Sequence, residues 1–181
     1  MKKILLVVGA LVLAVLAYMA YVFSTTKSHS PEANVEFSDG DLKVHVFYNR
    51  PFKKGRDIFG GLVPFGQVWR TGANEASYVE TNQPLTFGDQ QLKPGKYSLW
   101  TIPGERSWTI IFNTKYPSWG VSFDGVANYD EKFDALRIDA PVRLLDDKEI
   151  EQFTISVEKV DEGMEMIFQW DKTLVAVPFR N

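Results

Sequence analysis

Hydrophobic and polar positions fall into two regimes along the chain. Ile4 to Phe23 (ILLVVGALVLAVLAYMAYVF) is an apolar run of twenty residues without a charge. At about 1.5 Å rise per residue, such a run matches a hydrocarbon core of roughly 30 Å and predicts one transmembrane helix. Beyond it the period shortens to two. Leu42, Val44, Val46 and Tyr48 alternate with Lys43, His45 and Phe47, and Phe153, Ile155 and Val157 alternate with Thr154, Ser156 and Glu158. That period belongs to strands with one face turned inward.

Lys96–Ile102 and Trp108–Phe112 flank Pro103-Gly104, which predicts a hairpin. Met164–Trp170 follows a turn at Asp161–Gly163, and Asp171-Lys172 separates it from Thr173–Val177. With Phe153–Val157 these runs predict a β-meander. Asn34–Phe37, Ser77–Glu80, Leu85–Phe87 and Ala135–Ile138 are shorter strand candidates. The expectation is an all-β domain, an antiparallel β-sandwich of about 8–10 short strands, with a closed β-barrel as the alternative. Three parts are expected: an anchor at 1–23, a polar stalk at 24–33 and the β domain at 34–181.

Lys2 and Lys3 precede the apolar run and only Lys27 follows closely, so the positive-inside rule leaves the N-terminus in the cytoplasm. The β domain is then expected in the periplasm on a single-pass anchor. The alternative is a signal peptide cut at Val22-Phe23-Ser24, which releases the domain.

Composition then narrows the chemistry. There is no cysteine, which excludes disulfides, thiolate metal sites and a cysteine nucleophile. The two histidines, His29 and His45, are too few for a histidine-rich metal site. A net charge of −3 offers no basic excess for nucleic acid. No metal and no cofactor are expected.

Asn49–Ala76 (NRPFKKGRDIFGGLVPFGQVWRTGANEA) departs from the strand pattern, with five glycines and basic residues set among aromatics. So long a connection inside a compact domain is usually functional or hides short elements. Arg50, Arg56, Trp69, Arg70, Asn74 and Glu75 are the candidate ligand-binding residues. Arg70 suits an anion or hydroxyl clamp, Asn74 and Glu75 polar readers, and Trp69 a packing wall. The competing reading gives the same residues to an ion pair and an aromatic plug beneath a loop. Gly60-Gly61 lacks the flanking pattern of a phosphate loop.

Other constellations carry less. His45 could serve a Ser-His-Asp triad, but no G-x-S-x-G elbow accompanies it. Asp124–Glu131 is rich in oxygen ligands without calcium-loop spacing. Glu75 with Asp57, Glu105 or Asp124 would supply carboxylates for glycoside hydrolysis at suitable separation. Trp108 and Trp170 follow the inward alternation of their strands. Trp100 and Trp119 are expected on an exposed face, and Trp119 joins the candidate site.

Tyr48–Ser77, LKPGKYSLWTIPG (Leu92–Gly104) and WTIIFN (Trp108–Asn113) closely resemble a family of exported bacterial proteins known as domain of unknown function 2911. SWGVSFDG (Ser118–Gly125) and EQFTISVE (Glu151–Glu158) fit the same pattern. The resemblance implies an envelope location and a compact, mainly β domain, and no established reaction, cofactor or catalytic residue. The function expected is binding rather than catalysis: an envelope module recognising a glycan, peptide or protein partner. The alternatives are an envelope polysaccharide hydrolase using Glu75 and a structural subunit of an envelope assembly.

Overall fold

A computed structural model describes residues 2–122 and 124–181. The first helix, α1 (Lys2–His29), contains the apolar run, and over Leu6–His29 it is long and apolar enough to cross a membrane. Its last turn is closed by its own side chains: Ser28 Oγ donates to Thr25 O at 2.7 Å, and His29 Nδ1 lies 2.9 Å from the same oxygen. The polar segment expected as a stalk therefore continues the helix as far as His29. The first strand starts three residues later.

Eleven strands follow: β1 (Glu32–Asp39), β2 (Leu42–Asn49), β3 (Tyr78–Thr81), β4 (Leu85–Phe87), β5 (Gln90–Leu92), β6 (Gly95–Ile102), β7 (Ser107–Asn113), β8 (Asp134–Leu144), β9 (Ile150–Val160), β10 (Gly163–Asp171) and β11 (Thr173–Phe179). Nine of them form one antiparallel sheet in the order β1-β2-β3-β6-β7-β8-β11-β10-β9. The fold is all-β, and the sheet curls until it nearly closes into a barrel. This is the expected alternative rather than the two-layer sandwich.

The difference traces to β8. Its first part pairs with β7 as far as Pro141, and Val142–Leu144 pair with β11. One long strand thus stitches together what would otherwise be two sheets. Pro141 has no N–H to offer a ladder, and it stands where β8 passes from one neighbour to the other.

The two outermost strands, β1 and β9, face each other across a seam. Tyr48 of β2 reaches over it, its hydroxyl accepting from Ile155 N at 2.8 Å and donating to Ile155 O at 3.3 Å. Arg50 continues the seam, with Nε donating to Phe153 O (3.1 Å) and Nη2 to Thr154 Oγ1 (2.9 Å). Phe52 bridges to Gln152, and Lys159 pairs with Asp39 at 2.7 Å.

Inward positions of the strands fill the barrel with Leu42, Val44, Val46, Leu99, Ile110, Phe112, Phe168 and Val175, all fully buried. The β4–β5 hairpin stops the end reached by the far end of β3, with Phe87 against Phe112 and Phe179. The Asn49–Ala76 connection stops the other.

Trp100 corrects the sequence expectation of an exposed ring, being 1% exposed. It points outward from β6, but the excursion between β7 and β8 covers it. Its Nε1 donates to Ser98 Oγ at 2.8 Å, and its ring lies 5.7 Å from that of Tyr129.

Candidate functional site

The long connection is sewn onto the barrel before it forms a site. Lys53 N donates to Glu151 O at 2.6 Å, Val63 N to Ile58 O at 2.8 Å, and Trp69 and Thr101 exchange both backbone bonds at 2.7 and 3.0 Å. This turns Ile58, Phe59, Val63 and Trp69 into the barrel mouth. Phe59 meets Trp108 at 4.8 Å, while Trp69 meets Phe153 at 4.9 Å and stacks on Trp170 at 6.0 Å. The aromatic plug of the competing reading is present, whereas Glu75 of its ion pair is engaged by Lys27 at 3.1 Å.

Thr71–Asn74 turns sharply against the end of β2. Thr71 and Asn74 have φ of 54° and 57°, and Gly72 has φ of 146°. A Cβ on Gly72 would stand 2.8 Å from Asn49 O, so the close approach as well as the backbone angle calls for glycine. Ser77 Oγ donates to Thr71 O at 2.8 Å and holds the turn. Non-glycine residues in this region carry strain of order 1–3 kcal/mol, which the surrounding structure must offset.

A cavity of about 330 Å³ opens between this turn, the plug and the end of α1. Arg56, Trp69, Arg70 and Asn74 line it, together with His29, Ser30 and Lys54. Among the described residues its lining carries three full cations and no carboxylate. Asn74 Nδ2 lies 3.5 Å from both Ser30 O and Asn49 Oδ1. Arg56 is folded onto its own loop, donating to Lys53 O at 2.9 Å and Phe52 O at 2.5 Å.

Arg70 stands differently. Its stem packs on the bare backbone of Gly120, where a Cβ would lie 2.5 Å from Arg70 Cδ. Its Nε is buried without a hydrogen-bond partner. Burial pushes its pKa below the ordinary arginine value, although a guanidinium keeps its proton in proteins. Among the described residues, Trp108 Nε1 is the other buried side-chain nitrogen without a partner, and it sits within the plug among aromatic rings. Arg70 as a whole is half-buried in the cavity wall, and a guanidinium fork placed there is a ready receptor for an oxyanion.

A family model matches residues 30–179, from Ser30 at the cavity wall to Phe179 at the end of β11. The chain belongs to DUF2911, a family described as protein of unknown function. No curated protein and no solved structure matches it. The DUF2911 match takes in the whole barrel and both of its stoppers, while all of α1 lies ahead of it.

In this DUF2911 domain the remaining candidates sit around the cavity rather than in it. The two hydrogen bonds of Arg50 button the barrel seam. Glu75 turns toward the end of α1, where Lys27 Nζ lies 3.1 Å away, and it accepts from Asn49 Nδ2 at 3.0 Å. Burial pushes its pKa up, but bonds from its own backbone N–H, Lys27 and Asn49 outweigh burial and hold it below the usual carboxylate value. Trp119 is half-buried, and its carbonyl accepts from Asn128 Nδ2 at 2.9 Å; it is not among the lining residues.

Sequence reasoning missed Gly120, Lys54, His29 and Ser30. Lys54 was legible as a charge in the same segment. The others come from distant parts of the chain, and no local pattern ties them to Arg70. His45, the candidate base, meets Asn34 Oδ1 at 2.9 Å and Glu36 at 3.5 Å, both on β1, rather than a serine. Among the described residues no group of three or more His, Asp or Glu side chains could hold a metal ion.

Proposed function

We propose that this DUF2911 protein is an extracytoplasmic binding module of the cell envelope, tethered through α1, that grips its ligand by an anionic or hydroxyl group at Arg70. The half-buried Arg70 in the wall of a cavity whose described lining holds three cations and no carboxylate carries this reading. Trp69 forms the apolar wall, Asn74 reads a polar group beside the clamp, and Arg56 adds fixed positive charge. Arg50, Glu75 and Trp119 support the site from its rim. A glycan, peptide or protein of the envelope can present such a group, and the positive-inside distribution of lysines supports the outward placement of the domain.

Binding is favoured over hydrolysis by the state of Glu75. Glycoside hydrolysis needs two carboxyl groups at the substrate, whereas Glu75 is engaged by Lys27 and Asn49 and no carboxylate is among the described lining residues of the cavity. The test is a thermal-shift screen of the full-length protein in detergent against anionic glycan and peptide fragments. A ligand at 100 times its Kd adds about 2.7 kcal/mol, a shift of several degrees. The shift is expected in the wild type and absent from Arg70→Met. A shift of equal size in the variant would exclude this clamp.

A further inference from the structure

The cavity has a fixed address relative to the membrane. Its wall includes His29 and Ser30, and α1 runs unbroken from the apolar segment to His29. From Ser24 to His29 the helix rises about 9 Å beyond the apolar run. The headgroup layer on one side of a bilayer is roughly 5–8 Å deep. With α1 spanning the membrane, the cavity wall therefore stands at the outer edge of the headgroups. Lys27 at the same helix end pairs with both Glu32 and Glu75, tying the helix to β1 and to the turn that carries Asn74.

The donors in the wall also select a shape. Arg70 reaches the wall from one part of the loop and the neighbouring Lys54 and Arg56 from another, and no acid is among the described lining residues. A planar carboxylate satisfies one arginine fork, whereas tetrahedral phosphate oxygens accept from several directions at once. From these observations, and resting on the binding role given above to the Arg70 cavity, we infer that the site takes a phosphate ester presented at the outer surface of the bilayer, as in a phospholipid or lipid-linked glycan headgroup.

The experiment uses full-length protein in vesicles of phosphatidylcholine, alone or mixed with phosphatidylglycerol, with melting followed by tryptophan fluorescence. Soluble glycerol phosphate and a soluble sugar acid are added separately to the phosphatidylcholine vesicles. Phosphatidylglycerol is expected to raise the melting temperature of the wild type by several degrees and to leave Arg70→Met unmoved. Gly120→Ala, which displaces the same side chain, gives a second variant. An equal rise in both variants would mean general surface attraction and overturn the inference. A rise with glycerol phosphate but not with the lipid would overturn the bilayer source while keeping the anion clamp. A rise with the sugar acid alone would overturn phosphate and leave the binding role standing. No Arg70-dependent rise with any of them would overturn both.

Discussion

Gly120 and Arg70 are matched so closely that one dictates the other: a Cβ at position 120 would lie 2.5 Å from Arg70 Cδ and 2.9 Å from its Cβ. Gly120 N also donates to Asn74 O at 3.0 Å. The β7–β8 excursion therefore fixes both the clamp and the residue beside it.

Gly120→Ala follows from that geometry. The added methyl forces the Arg70 stem aside, and its Cβ with it. Ligand affinity is expected to fall about tenfold, equivalent to about 1.4 kcal/mol, with melting of the unliganded protein changed by only a few degrees. Parallel titration calorimetry and thermal melts check this, and a large loss of stability with affinity intact would contradict it.

The two arginines Arg70 and Arg50 should respond in opposite directions to the same substitution. Arg70→Met removes a buried donor that has no partner and is expected to raise the unfolding free energy of the free protein by about 1–3 kcal/mol. Arg50→Met strips Phe153 O and Thr154 Oγ1 of their donor and should lower it by a similar amount, about 1–3 kcal/mol. Urea denaturation of both variants is the measurement.

Trp69 belongs to the plug as well as to the cavity. Trp69→Ala is expected to cost about 3–5 kcal/mol, because its ring touches Phe59, Trp108, Phe153 and Trp170. Trp69→Phe keeps part of that packing and should cost distinctly less. Equal losses in the two variants would remove the plug as the source of stability.

Two tyrosines should titrate late. Burial pushes Tyr129 up to about 12, helped by the bond its hydroxyl donates to Asp134 and opposed by Arg137. Burial likewise raises Tyr116 to about 12, with Tyr78 and Glu75 adding to the effect. Since an unfolded tyrosine titrates near pH 10, the fold favours the neutral phenol. This contribution is fully present below about pH 10 and is lost as pH rises through about 12. Tyrosinate absorbance should show the late group shrink in Tyr129→Phe, and an unchanged curve would assign the late titration elsewhere.

Strands were legible wherever one face was buried and the other wet, as in Leu42–Tyr48 and Phe153–Val157. Barrel closure was not. It depends on β8 continuing through Pro141, a residue that in a sequence normally argues for the end of a central strand. Trp100 was misplaced because Leu99 and Trp100 are both buried, one inside the barrel and one beneath an excursion whose path is not written in local periodicity. The Arg70–Asn74 cluster was visible because it is contiguous. Gly120 was not, since a glycine required by a side chain fifty residues earlier looks like any other turn residue.

The seam between β1 and β9 has a consequence for the protein at high concentration. Exposed sheet edges template pairing with other chains and so lead to fibres. Here the two edges of the large sheet are turned toward each other, with Tyr48, Arg50 and the Lys159–Asp39 pair occupying the gap. Each edge screens the other from neighbouring molecules, so copies of the protein can be crowded together without their strands recruiting one another.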